Sequence, residues 1–432
     1  MKQVSAKVKI FVACCVLLQA ACSPKIQQTV VSPEPPPAPE IPVEPPPPPP
    51  PVVPVQPPPA PAPMATAAER LDIYLPMLKD KTVALMVNQT SMVDTVHLVD
   101  SLLRLGVKIK MIFAPEHGFR GSADAGEKVP DGKDQRTGVT LTSLYGSKKK
   151  PSAADLAGVD WVIFDIQDVG ARFYTYIYSM FYLMQACAEH KVPLMVLDRP
   201  NPNGHYVDGP MMRDGYQSFI GLHYIPVVHG MTVGEYAQLV NGEGWLGDGL
   251  RCNLAVIPCK NYDHKTPYAL PVKPSPNLPN MNAIYLYPSI CFFEGTNVSL
   301  GRGTNKQFQV YGSPGFPKGD YEFTPVPMPG AKTPPLQGQL CRGYDLSGVS
   351  ADSLRAEARI NLSYVLDFYK SFPNKDKFFL ENLFFDKLAG SDQLRKQIIA
   401  GKTEAEIRAS WQADLAAFKV IRKKYLLYPD FE

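Results

Sequence analysis

Short apolar runs alternate with helix-like segments from about Thr82 onward, and this alternation constrains the fold more than any other feature of the chain. The runs that have the length and β-branched content of buried strands are VALMV (83–87), VKIKMIF (107–113), WVIFDI (161–166) and PLMVLD (193–198). Helical periodicity spans 95–105 and 175–190 between them. Single helices between successive strands require crossover connections, so the order predicts an α/β fold with a Rossmann-like, largely parallel sheet.

Polar side chains follow each predicted strand at its carboxyl end. They are Asn88-Gln89-Thr90, Glu116-His117, Asp165-Ile166-Gln167-Asp168 and Asp198-Arg199-Pro200-Asn201. In an open parallel sheet these ends share one crevice, and ligands bind there. We therefore expect the functional site at this edge, with Glu116 on a rigid support.

The sequence lacks the signatures of nucleotide-binding α/β proteins. No GxGxxG follows the first strand, no GxxxxGK[ST] occurs, and Gly301-Arg302-Gly303 has neither a third glycine nor a strand before it. These patterns argue against a dinucleotide enzyme, and no cofactor is expected.

Beyond Asn253 the sequence becomes rich in loops, and helical periodicity returns over 353–370 and 392–425. We expect a Rossmann-like catalytic domain over 67–300 and a smaller α+β domain over 301–432. Polar, glycine-rich loops between two domains are suited to form the second wall of a cleft, so the smaller domain is expected to complete the site.

The first residues have the pattern of an export signal. Three lysines precede an apolar run over 10–21, which is shorter than the roughly 20 residues that a membrane-spanning helix needs. The run ends in Ala20-Ala21-Cys22 and resembles a bacterial lipoprotein cleavage site, with plain secretion as the alternative. We expect a signal peptide over 1–21, acylation of Cys22, and a membrane-anchored lipoprotein of the cell envelope, periplasmic or in the outer membrane.

Residues 33–63 contain 19 prolines. Such a segment has too little apolar bulk to fold and too few amide donors for a helix or a sheet. It predicts a tether over 22–66, either an extended polyproline rod with a reach on the order of 90 Å or a spacer of no defined reach.

Charge and cysteine content exclude further classes of protein. Removal of residues 1–21 takes away three lysines and no acids, which leaves 41 of the 44 basic side chains against 41 acidic ones. This balance argues against nucleic acid or an anionic membrane surface as the ligand. Without the signal peptide and Cys22 the cysteines are odd in number and form no CxxC pair, so neither a disulfide framework nor a zinc knuckle is expected.

Several motifs, taken in order, resemble one known family. They are PEHGFRG (115–121), DAGE (124–127), FDIQDVGARFYTYI (164–177), DRPNP (198–202), HGMT (229–232) and FEGTNVSLGRGT (293–304). The chain resembles the exo-β-N-acetylmuramidases of NamZ type from about Leu71 to its closing residues. The resemblance implies a Rossmann-like domain, a smaller C-terminal domain and an active site between them. It also implies an exo-acting glycosidase that removes N-acetylmuramic acid from the non-reducing end of peptidoglycan fragments during cell-wall recycling.

The resemblance places two glutamates at the active site, and here they fall on Glu116 and Glu127. Glycoside hydrolysis commonly needs one carboxylic acid to protonate the leaving oxygen and a second carboxylate as base or nucleophile. In the alternative interpretation Glu116 caps a helix and Glu127 is a surface acid. Glu294 is the reserve for the second carboxylate if Glu127 points away.

Two arginines are candidates for the lactyl carboxylate of muramic acid, because a guanidinium pairs with a carboxylate through two hydrogen bonds. Arg172 is favoured over Arg120 because aromatic residues, Tyr174 among them, lie beside it and can stack on a sugar. Either arginine can instead form a structural ion pair with Asp165 or Asp168, and Tyr174 can be a core residue.

The remaining candidates for substrate contact also have structural alternatives. His117 either binds substrate or holds Glu116, and His229 either binds ligand or lies in a turn before a capped helix. Asp198 and Arg199 either bind sugar hydroxyls or form a buried pair. The candidates for the facing wall are Glu294, Asn297 and Arg302.

Two other functions are compatible with the sequence. A metal-dependent hydrolase would use His117, Asp165, Asp168 and His229 as ligands, although no HExxH or comparable spacing is present. A non-catalytic peptidoglycan-binding lipoprotein would bind muropeptides without releasing product.

Overall fold

The computed structural model describes residues 32–37, 39, 63–116, 118–120 and 131–432. The chain divides into two compact units, 1–60 and 61–432, and the helices and strands given below belong to the second unit. The strands of the described part are β1 (Thr82–Val87), β2 (Met92–Val93), β3 (Val96–His97), β4 (Lys108–Ala114), β5 (Gly132–Lys133), β6 (Thr140–Ser143), β7 (Trp161–Asp165), β8 (Leu194–Leu197), β9 (Leu254–Ile257), β10 (Val310–Ser313), β11 (Tyr321–Phe323) and β12 (Cys341–Asp345).

The α-helices of the described part are short, and several are single turns. They are α1 (Leu71–Tyr74), α2 (Leu98–Arg104), α3 (Ala153–Leu156), α4 (Tyr176–Glu189), α5 (Val233–Gly242), α6 (Met281–Ile290), α7 (Ala351–Ala356), α8 (Ser363–Ser371), α9 (Phe384–Ala389), α10 (Gln393–Ile399), α11 (Glu404–Ala409) and α12 (Gln412–Lys423). Turns of 3₁₀-helix cover Ala67–Glu69, Leu75–Leu78, Cys291–Gly295 and Lys375–Lys377.

The main sheet has seven strands in the order β5-β6-β4-β1-β7-β8-β9. Six of them are parallel, and the short β5 pairs antiparallel with β6 at one edge. Numbered along the chain, the parallel strands have the 3-2-1-4-5-6 order of a doubly wound Rossmann sheet. The predicted α/β, Rossmann-like fold is confirmed. Successive strands are added on one side of β1 up to β6 and on its other side from β7 onward, so the strand order reverses between β1 and β7. The ligand crevice of such sheets lies at this reversal.

Both faces of the sheet are buried, as the apolar runs predicted. In β1, Val83, Leu85 and Val87 point into one core, and Ala84 and Met86 point into the other. Helix α2 packs on the first face, and α4 packs on the second. Side chains on a strand alternate between faces, so a continuous apolar run is the expected sequence of a strand that is covered on both sides.

The C-terminal part of the second unit is a smaller α+β region, which is also as predicted. Strands β10, β12 and β11 form a three-stranded antiparallel sheet, and α7 to α12 follow it along the chain. The domain boundary near residue 300 stays a prediction.

The region beyond Asn253 is more regular than its sequence indicates, since it contains β9 and α6. Helix α6 is hard to predict because it includes Pro288, whose missing amide cannot donate to the carbonyl four residues earlier. That carbonyl, on Ile284, accepts instead from the side-chain amide of Asn203 at 3.2 Å. A distant side chain therefore makes the proline compatible with the helix.

The predicted C-terminal helical stretches are interrupted. The segment 353–370 divides into α7 and α8 around Ala358, whose φ of 44° is left-handed. The segment 392–425 divides at Gly401, with φ 70°, and again between α11 and α12. These breaks turn the chain over the core in short helices.

The described part of the chain contains no helix with the length and apolarity needed to cross a membrane. Its cysteines, Cys187, Cys252, Cys259, Cys291 and Cys341, are buried and unpaired.

The fold begins a few residues before the end of the predicted tether. Ala65 exchanges two backbone hydrogen bonds with Lys260, at 3.0 and 2.8 Å, and the Ala67 amide donates to the Asp198 carbonyl at 3.1 Å. Arg70 donates from Nη1 to the Pro258 carbonyl at 2.8 Å. Residues 64–70 are thus fastened to the end of the sheet.

Two truncations should separate the tether from the fold. A protein that lacks residues 1–63 should keep its free energy of unfolding within about 0.5 kcal/mol, because these contacts remain. A protein that lacks residues 1–70 should lose roughly 3 kcal/mol, since each lost hydrogen bond contributes about 1 kcal/mol and the buried Ala67 and Ala68 are removed. Urea denaturation measures both values. Equal stability of the two truncated proteins would show that residues 64–70 do not belong to the fold.

Candidate functional site

Buried polar contacts lock the carboxyl ends of the central strands to one another. After β8, the Arg199 guanidinium pairs with Asp165 at the end of β7, with Nε–Oδ1 2.5 Å and Nη2–Oδ2 2.9 Å. Nη2 also donates to the Met92 carbonyl, beyond β1, at 3.1 Å. Asp165 is fully buried and Arg199 nearly so. These contacts favour the alternative interpretation of Arg199 as a buried paired residue, and its contact with sugar hydroxyls stays a prediction.

Asp198 is likewise a structural residue. Its carboxylate accepts from the Thr232 hydroxyl at 2.7 Å, the Gly234 amide at 2.8 Å and the Tyr428 hydroxyl at 2.6 Å. Burial raises the pKa of Asp198 to about 6, although these hydrogen bonds act in the opposite direction. Asp198 therefore fastens the start of α5 and the C-terminal tail to β8. Its complete burial favours the structural alternative, and a sugar contact of Asp198 stays a prediction.

Glu116 lies at the carboxyl end of β4, half-buried at the crevice. The Tyr145 hydroxyl donates to its Oε1 at 2.9 Å, and the Thr175 hydroxyl donates to its Oε2 at 3.1 Å. Burial and the Glu116 charge raise the pKa of Tyr145 well above its usual value, so this phenol stays a proton donor. Two hydroxyls from different connections thus fix both oxygens of one carboxylate.

The start of helix α4 contributes to the environment of Glu116. Thr175 is the N-cap residue of α4, but its hydroxyl makes no capping bond to the helix and donates to Glu116 instead. A helix N-terminus carries partial positive charge and stabilises an anion nearby. The next residue, Tyr176, has its hydroxyl 3.4 Å from the backbone carbonyl oxygen of Glu116.

His229 and Asp168 lie close together in the interior. His229 is fully buried, its Nδ1 accepts from the Met231 amide at 3.3 Å, and its Nε2 is 4.0 Å from Asp168 Oδ2. Burial lowers the pKa of His229 to about 3 and raises the pKa of Asp168 to about 7. This burial favours the alternative interpretation of His229 as a structural residue of the turn before α5, and its ligand role stays a prediction.

Arg172 is also completely buried, against the expectation that it meets the lactyl carboxylate. Its Nη1 donates to the carbonyls of Pro210 and Ile225 at 2.7 and 2.8 Å, and its Nη2 donates to the carbonyl of Leu388 at 2.8 Å. Burial lowers its pKa to about 10. Arg172 joins the C-terminal segment to the loop after β8.

Tyr174 belongs to the core as well. Its hydroxyl donates to the Pro274 carbonyl at 2.7 Å, and its ring meets those of Tyr176 and Tyr287 edge to face. These contacts favour the interpretation of Tyr174 as a core residue rather than as part of a sugar platform.

Arg120 lies near Glu116 in sequence but is engaged elsewhere. Its Nη2 pairs with Asp134 at 3.0 Å, and its guanidinium lies over the Phe119 ring at 4.2 Å from the centroid. Its role in substrate contact stays a prediction. His117 and Glu127 lie outside the described residues.

The three candidates for the facing wall do share a cavity. Glu294, Asn297 and Arg302 line a space of about 350 Å³ together with apolar side chains such as Leu380 and Phe384. Arg302 donates to Glu294 Oε1 from Nε at 2.8 Å and from Nη2 at 2.6 Å, and Asn297 donates to the Lys377 carbonyl at 2.6 Å. Their roles as substrate-binding residues, and that of Glu294 as reserve acid, stay predictions.

The described residues include no group of three or more metal-ligating side chains that could hold an ion. Of the described residues considered for a metal site, Asp165 is already paired with Arg199, and Asp168 and His229 lie 4.0 Å apart. A metal-dependent hydrolase therefore gains no support from this part of the chain.

Tyr145 and Thr175 are the contacts of Glu116 that the sequence did not reveal. Tyr145 lies two residues after the end of β6, a strand with only four residues and no long apolar run. Had that strand been recognised, the rule that ligand contacts follow parallel strands would have marked Tyr145. Thr175 has the appearance of an ordinary helix cap, and only the fold shows its other partner.

Replacement of Arg172 should affect stability rather than sugar selection. Arg172→Met leaves three buried carbonyls without their donors, so we expect a loss of about 3 kcal/mol or more in the free energy of unfolding. Arg213→Met is the control, because Arg213 pairs with Asp414 at a partly exposed site and such pairs contribute about 1 kcal/mol or less. Chemical denaturation of both variants measures the difference. Equal losses would contradict the structural role of Arg172.

Two family models match this chain along most of its second unit. Residues 83–282 match the N-terminal part of exo-β-N-acetylmuramidase NamZ. Residues 285–428 match the C-terminal part of the same family.

Individual relatives agree with these matches. The chain is 40% identical over 375 residues to the protein named peptidoglycan β-N-acetylmuramidase NamZ from Bacillus subtilis (strain 168), covering 82% of this chain and 89% of the relative. It is similar to a DUF1343 family crystal structure from Bacteroides fragilis NCTC 9343, with TM-score 0.79, 50% identity, and 85% of this chain and 100% of that chain covered. A second DUF1343 structure from that organism has TM-score 0.72 at 27% identity, covering 84% and 99%.

Proposed function

The chain belongs to the NamZ family of exo-β-N-acetylmuramidases, and on that premise we propose that it is a glycoside hydrolase acting on peptidoglycan. The reaction is hydrolysis of β-linked N-acetylmuramic acid from the non-reducing end of peptidoglycan fragments. Its products feed cell-wall recycling. A lipid on Cys22 holds the enzyme at a membrane of the cell envelope, with the proline-rich segment as its tether.

The arrangement of Glu116 is the observation that carries this proposal. A carboxylate at the carboxyl end of a parallel strand is held by the Tyr145 and Thr175 hydroxyls, next to the reversal point of the sheet. Positioned carboxylates are what glycoside hydrolysis requires, and the crevice at that reversal is where such a sheet binds ligands. The family match supplies the reaction class.

The two glutamates have different roles in this proposal. Both oxygens of Glu116 accept hydrogen bonds from hydroxyls, which hold the carboxylate in one orientation. On this ground Glu116 is assigned as the base or nucleophile. Glu127 is then the acid that protonates the leaving oxygen.

The reaction class is tested with chromogenic β-glycosides. Wild-type protein should release 4-nitrophenol from the N-acetylmuramic acid glycoside and much less from the N-acetylglucosamine glycoside, also after exhaustive chelation. Protein that binds muropeptides but releases no product would instead be a binding lipoprotein. Activity abolished by chelation and restored by a divalent ion would favour the metal-dependent alternative.

The roles of the glutamates are tested with leaving groups. 4-Nitrophenolate departs without a proton, so Glu127→Gln should retain activity on the chromogenic glycoside but lose on the order of 10² or more in kcat on the disaccharide of N-acetylmuramic acid and N-acetylglucosamine. Glu116→Gln should lose a similar factor on both substrates. A Glu116→Gln enzyme with full activity would exclude the assignment. If Glu127→Gln is fully active on the disaccharide and Glu294→Gln is inactive, Glu294 is the acid.

A further inference from the structure

A group of half-buried side chains beside Glu116 has not been given a role. The Tyr145 ring lies edge-on to the Phe219 ring with centroids 6.4 Å apart, and Phe219 stacks on Tyr182 at 6.3 Å. The Lys149 ammonium lies over the Phe219 ring, 4.7 Å from its centroid. We name these four residues, Tyr145, Lys149, Tyr182 and Phe219, the Phe219 platform.

The platform is connected to the candidate catalytic carboxylate by a direct contact. The Tyr145 hydroxyl donates to Glu116 at 2.9 Å, while the ring of the same residue contacts Phe219. A sugar that reaches Glu116 therefore has this aromatic surface next to it. Aromatic rings with partly exposed faces are suited to the apolar face of a pyranose.

The backbone around Phe219 is held in a tight turn. Ser218 and Gly221 exchange two hydrogen bonds, each N–O 2.9 Å, with Phe219 and Ile220 at the tip of the turn. Tyr182 lies on α4, the longest helix in the described part. A surface built from a closed turn and a helix needs little ordering when a ligand binds, which favours affinity.

Lys149 gives the platform a positive charge that no acid neutralises in the described part of the chain. Its neighbours in sequence are different, because Lys148 pairs with Asp155 at 2.8 Å and Lys150 pairs with Glu189 at 2.8 Å. A ring face attracts an ammonium without cancelling its charge or using all of its donors. Lys149 is therefore free to bind an anion above the aromatic surface.

The arginines that the sequence suggested for substrate contact all have partners within the protein. Arg199, Arg302 and Arg120 are paired with acids, and Arg172 is enclosed by carbonyls. Under the proposed function the substrate carries a carboxylate on its lactyl ether, and that charge needs a cation near the crevice.

We propose that the Phe219 platform binds a muramic acid residue, with its lactyl carboxylate on the Lys149 ammonium and its sugar ring on the aromatic surface. The inference rests on the proposed function and adds the residue that selects muramic acid over glucosamine. An ammonium binds as a point charge with three donors, so it tolerates the rotation of a flexible lactyl arm better than a rigid guanidinium fork.

The test compares two chromogenic β-glycosides, one of N-acetylmuramic acid and one of its lactyl primary amide, which has nearly the same shape but no charge. Lys149→Met should lower the acid-to-amide ratio of kcat/KM by about 10- to 100-fold, the scale of a hydrogen bond to a charged group. Lys149→Arg should retain most of the ratio because the charge remains. Lys150→Met is the matched control, because it removes the same charge one position further along. Lys150 pairs with Glu189 and is not part of the platform, so the ratio should stay unchanged.

A second arm identifies which muramic acid is bound. The glycoside carries a lactyl group only on its terminal sugar, whereas a tetrasaccharide of alternating N-acetylmuramic acid and N-acetylglucosamine carries a second one beyond the scissile bond. If Lys149→Met lowers the acid-to-amide ratio of kcat/KM on the glycosides, Lys149 contacts the terminal sugar. If Lys149→Met lowers kcat/KM only on the tetrasaccharide, Lys149 contacts the second muramic acid. Wild-type values for Lys149→Met on all of these substrates would overturn the proposal.

The proposed function and the platform can fail separately. Wild-type protein that hydrolyses none of these substrates contradicts the function. Calorimetric titration with free N-acetylmuramic acid and its amide then tests the platform directly. Weaker binding of the acid, but not of the amide, in Lys149→Met supports the platform, and equal binding in wild type and variant overturns it.

Discussion

The Arg199–Asp165 ion pair is the interaction on which the geometry of the crevice depends. It joins the ends of β7 and β8 and also reaches the carbonyl of Met92 beyond β1, so three neighbouring strands end in one fixed arrangement. Loss of one partner would leave a charge without its counter-ion in the interior, which typically costs 3–5 kcal/mol. The pair keeps the crevice floor rigid, and the Tyr145 and Thr175 hydroxyls hold Glu116 at its rim. A positioned catalytic carboxylate requires a rigid crevice floor and polar contacts that fix its oxygens at the rim.

Much of the family-like sequence is structural rather than ligand-binding. The HGMT motif illustrates this, because the Gly230 carbonyl accepts two hydrogen bonds from the buried Arg422, which also pairs with Asp430 near the end of the chain. Asp198 in DRPNP receives the Tyr428 hydroxyl from the same tail. These contacts close the C-terminal segment over α5. Motifs that identify a family therefore mark its folding constraints together with its chemistry.

The sequence predicted the central strands of the sheet well, because a strand that is buried on both faces has a continuous apolar sequence. The polar residues after each run marked the ends of these strands. It predicted the surroundings of individual side chains poorly. The sequence does not distinguish a buried arginine such as Arg172 from an exposed one. One of the carbonyls that bind Arg172 belongs to Leu388, more than two hundred residues away along the chain. Helix α6 was obscured for a similar reason, since the compensation for Pro288 comes from Asn203. Tyr145 was missed because its strand, β6, is too short to give a pattern.

The central claim is that Glu116 is the charged carboxylate at the reacting carbon of a terminal N-acetylmuramic acid. A crystal structure of Glu116→Gln with the disaccharide of N-acetylmuramic acid and N-acetylglucosamine tests it directly. The account predicts the anomeric carbon of the muramic acid within about 3–3.5 Å of the residue 116 side chain or of a water bound to it, at the carboxyl end of β4. A disaccharide bound with its glycosidic bond elsewhere, for example in the cavity lined by Glu294 and Arg302, would contradict the account.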